Sequence, residues 1–129
     1  MKYEVVFEPF TERHYIRTFS KKYKSAWDFT LKFIRDEFER IDILFGKSIA
    51  EYITDRNEDV VICKTEFKIA GTQESRHGSG NRCIVAIHKD QKVVKVLLVY
   101  GKVDVRGSKE TSWWQSVIKD NFPDYFDCF

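Results

Sequence analysis

KTEFKIAGTQESRHGSGNRCIVAIHKDQKVVKVLLVYGK, residues 64–102, reads as three consecutive strands whose polar positions are mostly cationic. Side chains on a strand alternate between faces with period two. On the first strand Val61, Cys63, Phe67 and Ile69 therefore share one face, and Lys64, Glu66 and Lys68 the other. On the second, Cys83, Val85 and Ile87 fall together, with Arg82 and His88 opposite. The third, residues 93–100, is apolar on both faces, which marks a central strand and leaves the direction of Lys102 open. Residues 71–80 (GTQESRHGSG) form the first connection, and Lys89-Asp90-Gln91-Lys92 a tighter hairpin. Residues 60–109 hold ten Lys/Arg against four Asp/Glu, a balance of +6, whereas residues 1–59 balance at −1 and residues 110–129 at −3. Positive charge gathered in one segment of a nearly neutral chain suits a polyanion site. It equally suits lysines that keep strands soluble and blunt a sheet edge.

The chain of 129 residues has the usual length of one domain, residues 1–129, and 43% hydrophobic with 16% aromatic residues is ample for a core. No apolar run approaches the roughly 20 residues that span a bilayer. The start, Met1-Lys2-Tyr3-Glu4, opens directly into a strand pattern without a signal-peptide core, so a cytoplasmic location is expected. Cys63, Cys83 and Cys128 are odd in number and lack Cys-x-x-Cys spacing, as small reduced core residues do. With His14, His77 and His88 scattered, no paired spacing builds a zinc site, and neither metal nor cofactor is expected.

Outward from the three strands, residues 2–8 alternate Tyr3, Val5 and Phe7 against Lys2, Glu4 and Glu8, a half-buried strand stopped by Pro9. Residues 11–22 offer Tyr15, Ile16 and Phe19 at helical spacing, a short helix. Ser25 and Asp28 resemble a capping box opening a longer one. There Trp27, Leu31, Ile34, Phe38, Ile41 and Phe45 step by four and three along about five turns, and Gly46 supplies a stop. Residues 49–59 are polar and ambiguous, a helical turn or a loop. A last helix starts between Ser108 and Thr111, carries Trp113, Trp114, Val117 and Ile118, and ends before Pro123. The aromatic tail NFPDYFDCF packs back on the core. Grouped strands and helices favour α+β. The expected architecture is an antiparallel sheet of about four strands, with two N-terminal helices on one face and a C-terminal helix. The face bearing Lys64, Lys68 and Arg82 is then open to a ligand.

That order, with Gly80-Asn81-Arg82 opening a strand, a hairpin, and a strand ending Leu97-Leu98-Val99-Tyr100-Gly101-Lys102, resembles the RelE/ParE superfamily of bacterial toxins. Its specific part is residues 60–104. The RelE branch consists of small cytosolic ribonucleases that cut messenger RNA on the ribosome, and the resemblance implies the ribosome, messenger RNA and a cognate antitoxin as partners, in a toxin–antitoxin hetero-oligomer. It also implies that Arg82 binds the scissile phosphate, that Lys64 and Lys68 hold and polarise the RNA, and that Lys102 stands near the leaving group. RelE-like enzymes often place a tyrosine or histidine near the C-terminus as acid or base, where this chain has Trp113, Trp114 and Tyr125.

The chemistry suits those residue types. RNA is cleaved without metal when its 2′-hydroxyl attacks the neighbouring phosphorus, so the protein must take one proton, give one and stabilise added negative charge. Arginine's planar fork serves the last task and lysine does so as a point charge. His77 is the acid/base candidate by its intrinsic pKa, or else an exposed loop histidine. Arg76 and Arg106 contact RNA or are solvated charges; Tyr100 stacks a base or belongs to the core. Two other functions fit the same scaffold: a ParE-like inhibitor of DNA gyrase, and a non-catalytic module that binds nucleic acid or protein.

Overall fold

The computed structural model describes residues 2–44, 50–55, 57–107 and 109–128, except for the side chains of Leu44 and Phe126. Phe45, Gly46, Ile49 and Ser108, which the sequence places at element ends, lie outside the described residues. Strand β1 (Glu4–Phe7) follows from the alternation at the N-terminus, and Tyr3, Val5 and Phe7 are all buried. A helical run comes next: α1 (Pro9–Thr11), a π-helical turn (Glu12–Ile16) and α2 (Arg17–Tyr23). Lys24, at φ 53° and ψ −122°, makes the corner into α3 (Ser25–Glu39).

No side chain caps α3, so the Ser25–Asp28 capping box does not form; the amides of Trp27 and Asp28 donate to the Lys24 carbonyl at 3.0 and 3.3 Å. Nor is the long helix continuous. It breaks at Arg40 (φ −117°, ψ 42°), and α4 (Ile41–Leu44) resumes for one turn. The stripe survives the break, because Trp27, Ile34, Phe38 and Ile41 are all buried. Burying each such side chain is worth about 1.5–3 kcal/mol.

The sheet has five strands in the order β1-β5-β4-β3-β2: β2 (Ala50–Tyr52), β3 (Val60–Phe67), β4 (Asn81–His88) and β5 (Val93–Tyr100) join β1. This is an α+β arrangement, but mixed where four antiparallel strands were expected: β1 runs parallel to β5, with Glu4 opposite Val93. The fifth strand is the short edge pairing of Glu51 with Lys64, drawn from the ambiguous segment. Three half-exposed residues carry no readable period.

One irregularity in β5 decides which residues reach the site. Val85 pairs with Val96 and Ile84 with Leu98, so Leu97 is an extra residue in the ladder. A bulge of this kind reverses the alternation beyond it. Val94 and Val96 belong to the core under α3, while Leu98 and Tyr100 face the other side. Buried Thr11 donates its hydroxyl to the carbonyl of Leu97, anchoring the start of the helical run on the bulge.

The second face was expected to be open, and it is covered. Trp114 and Ile118 of α5 (Glu110–Asn121), with Phe122 and Tyr125 around the closing 3-10 turn Pro123–Cys128, pack on Ile62, Ile84, Ala86 and Leu98. Helices on both sides leave β4 buried from Asn81 to Ile87. Cys63, Cys83 and Cys128 are free thiols, and burial pushes Cys63 up to about 12. Among the described residues, no helix is long and apolar enough to cross a membrane.

Candidate functional site

The pairing of β3, β4 and β5 places Glu66, Arg82 and Tyr100 side by side in one cross-strand row. Lys64 lies on the same face two residues earlier on β3, opposite Ile84. Gly80, at φ 77°, returns the β3–β4 loop into β4 and brings His77 over the row. The Arg82 guanidinium donates from Nη1 to the Asn81 carbonyl at 3.0 Å and from Nη2 to the His77 carbonyl at 3.2 Å. Its Nη1 stands 4.0 Å from a Glu66 carboxylate oxygen. The other arm of Glu66 is the His77 ring, whose Nδ1 lies 3.1 and 3.2 Å from the two carboxylate oxygens. Since an ionised carboxylate only accepts, the proton in this contact sits on Nδ1, and Nε2 is the ring nitrogen turned away from Glu66. The ring is 85% exposed.

A second chain of contacts runs alongside. The Tyr100 hydroxyl donates to Oε2 of Glu110 at 2.8 Å, and the same oxygen lies 3.7 Å from Lys64 Nζ. Lys64 is also 3.4 Å from Glu51 on β2. Burial, then the hydrogen bond to the Glu110 carboxylate, pushes the Tyr100 hydroxyl well above its ordinary value. Tyr100 is therefore a hydrogen-bond donor held in the core, not a base. The half-buried Trp113 ring packs on it edge-on, centroids 5.0 Å apart, and meets Tyr15 at 6.3 Å.

Other expected site residues go elsewhere. Lys68 follows the end of β3 and lines a groove of about 370 Å³ with Phe33, Ile34 and Phe67 on the α3 side, so it does not share a wall with Lys64. Arg76 is clamped by Glu37 of α3, Nη1 to Oε1 at 2.6 Å and Nη2 to Oε2 at 2.8 Å, which raises its pKa and ties the loop to the helix. Arg106 is exposed in the β5–α5 connection and counters the burial that raises Tyr15. Lys102 is exposed, and its stem crosses Gly80, where a Cβ would lie 2.6 Å from Lys102 Cγ.

An open cationic wall is thus replaced by a mixed row. Arg82 is only 7% exposed, and Glu51, Glu66 and Glu110 are interleaved with Lys64 and Arg82. The strand period already put Glu66 on the face of Lys64 and Arg82. Glu110 and Glu51 were not, because they arrive from a helix N-terminus and an edge strand. Among the described residues, no group of three or more His, Cys, Asp or Glu is placed to hold a metal.

One charged surface escaped the sequence reading altogether. Residues 9–24 hold five Lys/Arg against one Asp/Glu, hidden by the acidic remainder of residues 1–59. Arg13, Arg17, Lys21, Lys22 and Lys24 are all exposed, and among the described residues none forms an ion pair.

No family model matches the chain, and no curated protein or solved structure shows significant similarity to it.

Proposed function

We propose that this chain is a RelE-like endoribonuclease that cleaves messenger RNA without a metal, with His77 moving the proton and Glu66 and Arg82 holding it. The observation that carries this reading is one carboxylate, Glu66, gripping an exposed imidazole at 3.1 Å with a buried guanidinium 4.0 Å away. In the reaction the 2′-hydroxyl oxygen bonds to phosphorus, the bond from phosphorus to the 5′-oxygen breaks, and a cyclic phosphate and a 5′-hydroxyl result. His77 Nε2 takes the 2′ proton, and Glu66 fixes that tautomer and stabilises the imidazolium. The leaving oxygen takes its proton from the Lys102 ammonium, whose stem crosses the loop at Gly80. Arg82 is a positioning residue, since its donors hold the loop carbonyls of Asn81 and His77. The toxin setting, with the ribosome as platform and an antitoxin as inhibitor, comes from the resemblance in element order and in Gly80-Asn81-Arg82.

On messages under translation, His77→Gln is expected to lower cleavage by about 10²–10⁴-fold without changing the circular dichroism. Lys68→Ala, on the α3 side, leaves cleavage unchanged. Normal cleavage by His77→Gln contradicts the assignment.

A second reading has its own support. Lys64 is compensated by Glu51 and Glu110, and Arg82 is buried with carbonyl partners. That balance favours a non-catalytic module, under which the wild-type protein leaves translated messages intact.

A further inference from the structure

We infer that the exposed row Arg13, Arg17 and Lys21 is a docking strip for the phosphate backbone of single-stranded RNA, separate from the Glu66–His77–Arg82 site and independent of whether that site cleaves. The three residues step by four along the helical run, so they form one ridge with successive charges about 6 Å apart along the axis. They share a shallow groove of about 540 Å³ with Pro9, Glu12 and Ile16, which places them on a single face. Glu12 is the one acid in this stretch, and among the described residues none of the three cations is paired to a carboxylate. Arg76 and Lys64 differ in this respect, paired with Glu37 at 2.6 Å and with Glu51 at 3.4 Å. The ridge also contains the π turn Glu12–Ile16, a rare backbone form that gathers at functional sites.

The chemistry of the face selects its occupant. A helix lying on a membrane needs apolar side chains beside its cations. Here Phe19 is buried and Ile16 and Tyr15 are partly buried against the core; of the exposed large apolar residues, Phe29, Phe33 and Ile43 belong to other helices and Val103 lies beside Thr18 and Lys22, off the ridge. A ridge of unpaired arginine and lysine whose apolar neighbours in the groove are Pro9 and the partly buried Ile16 binds phosphates in a line, and the groove beside it gives the strand a track.

Binding is measured by fluorescence anisotropy with a labelled 2′-O-methyl RNA oligonucleotide, whose blocked hydroxyl prevents cleavage and so separates docking from catalysis. Three phosphate contacts contribute a slope of about −2 in log K against log salt, or about 20-fold in affinity between 50 and 200 mM. The variant Arg13→Ala/Arg17→Ala/Lys21→Ala is expected to lose that slope and affinity while keeping its circular dichroism. Lys2→Ala/Lys32→Ala/Arg40→Ala removes the same net charge from other surfaces and is expected to bind nearly as the wild type. Equal losses in the two variants, no loss in the first, or wild-type binding to phosphatidylserine vesicles but not to the RNA would each overturn the inference.

Discussion

Residues 60–109 and residues 9–24 both carry an excess of positive charge, yet the fold treats them in opposite ways. In the first, three of the ten cations meet acids brought by other elements: Lys64 meets Glu51 and Glu110, Arg76 meets Glu37, and Arg82 lies near Glu66. In the second, exposed cations line the outside of a helical run, and among the described residues no carboxylate pairs with them. Charge counted along a chain is therefore a poor guide to potential in space. A central strand has neighbours on both sides and a helix above it, each able to supply a counter-charge. The outer face of a helix has water.

The largest expected difference between the two regions is in stability. Glu66→Ala leaves the Arg82 guanidinium, 9% exposed at its side chain, without its carboxylate. Breaking a fully buried pair costs roughly 3–5 kcal/mol. Because Glu66 is 26% exposed and the pair is wide at 4.0 Å, we expect about 2 kcal/mol. Arg17→Ala, on the unpaired ridge, should change stability by less than about 0.5 kcal/mol. Urea denaturation reads both, and similar midpoints for the two variants would remove the distinction.

A smaller effect sharpens the boundary of the free-charge region. Lys24 turns the chain from α2 to α3 at φ 53° and ψ −122°, a backbone form that favours glycine. Lys24→Gly is expected to stabilise the protein by about 1 kcal/mol, relief of strain offsetting the extra freedom of the unfolded chain. A thermal midpoint that falls would show that the corner is not strained.

The smallest effect lies at the opposite end of β4 from Arg82. The Tyr125 hydroxyl, pushed up by burial, stays protonated and lies 2.7 Å from His88 Nε2, within hydrogen-bond distance. Burial and then Lys95 lower the His88 pKa, against the opposing pull of Asp124 and Glu8. The folded form thus takes up its proton at a lower pH than the unfolded chain does. Stability should decline as the pH drops through about 6.5 and level off below the folded value. His88→Gln should flatten that decline, and an unchanged profile would assign it to other groups.

Much of the scaffold was legible because its residues repeat with a period. Tyr3, Val5 and Phe7 gave β1, and Val61, Cys63 and Phe67 gave the inward face of β3. Trp27, Ile34 and Phe38 gave the buried side of α3. Arg82 on the face opposite Cys83 was also readable. The bulge at Leu97 was invisible, since a strand apolar on both faces reads the same with or without an extra residue. That single residue puts Tyr100 beside Arg82. Lys68 was misplaced because the strand period was carried beyond Phe67, where β3 ends. The ridge Arg13–Arg17–Lys21 was present in the spacing, but a balance taken over residues 1–59 averaged it away.

The most direct test of the compensated and free regions is the acylation rate of each lysine amine, read by mass spectrometry on the folded protein at low reagent. A paired amine 20% exposed and flanked by Glu51 and Glu110 should react slowly. Lys21, Lys22 and Lys24 should be modified first, with Lys64 lagging well behind them. Modification of Lys64 as fast as Lys21 would contradict that order.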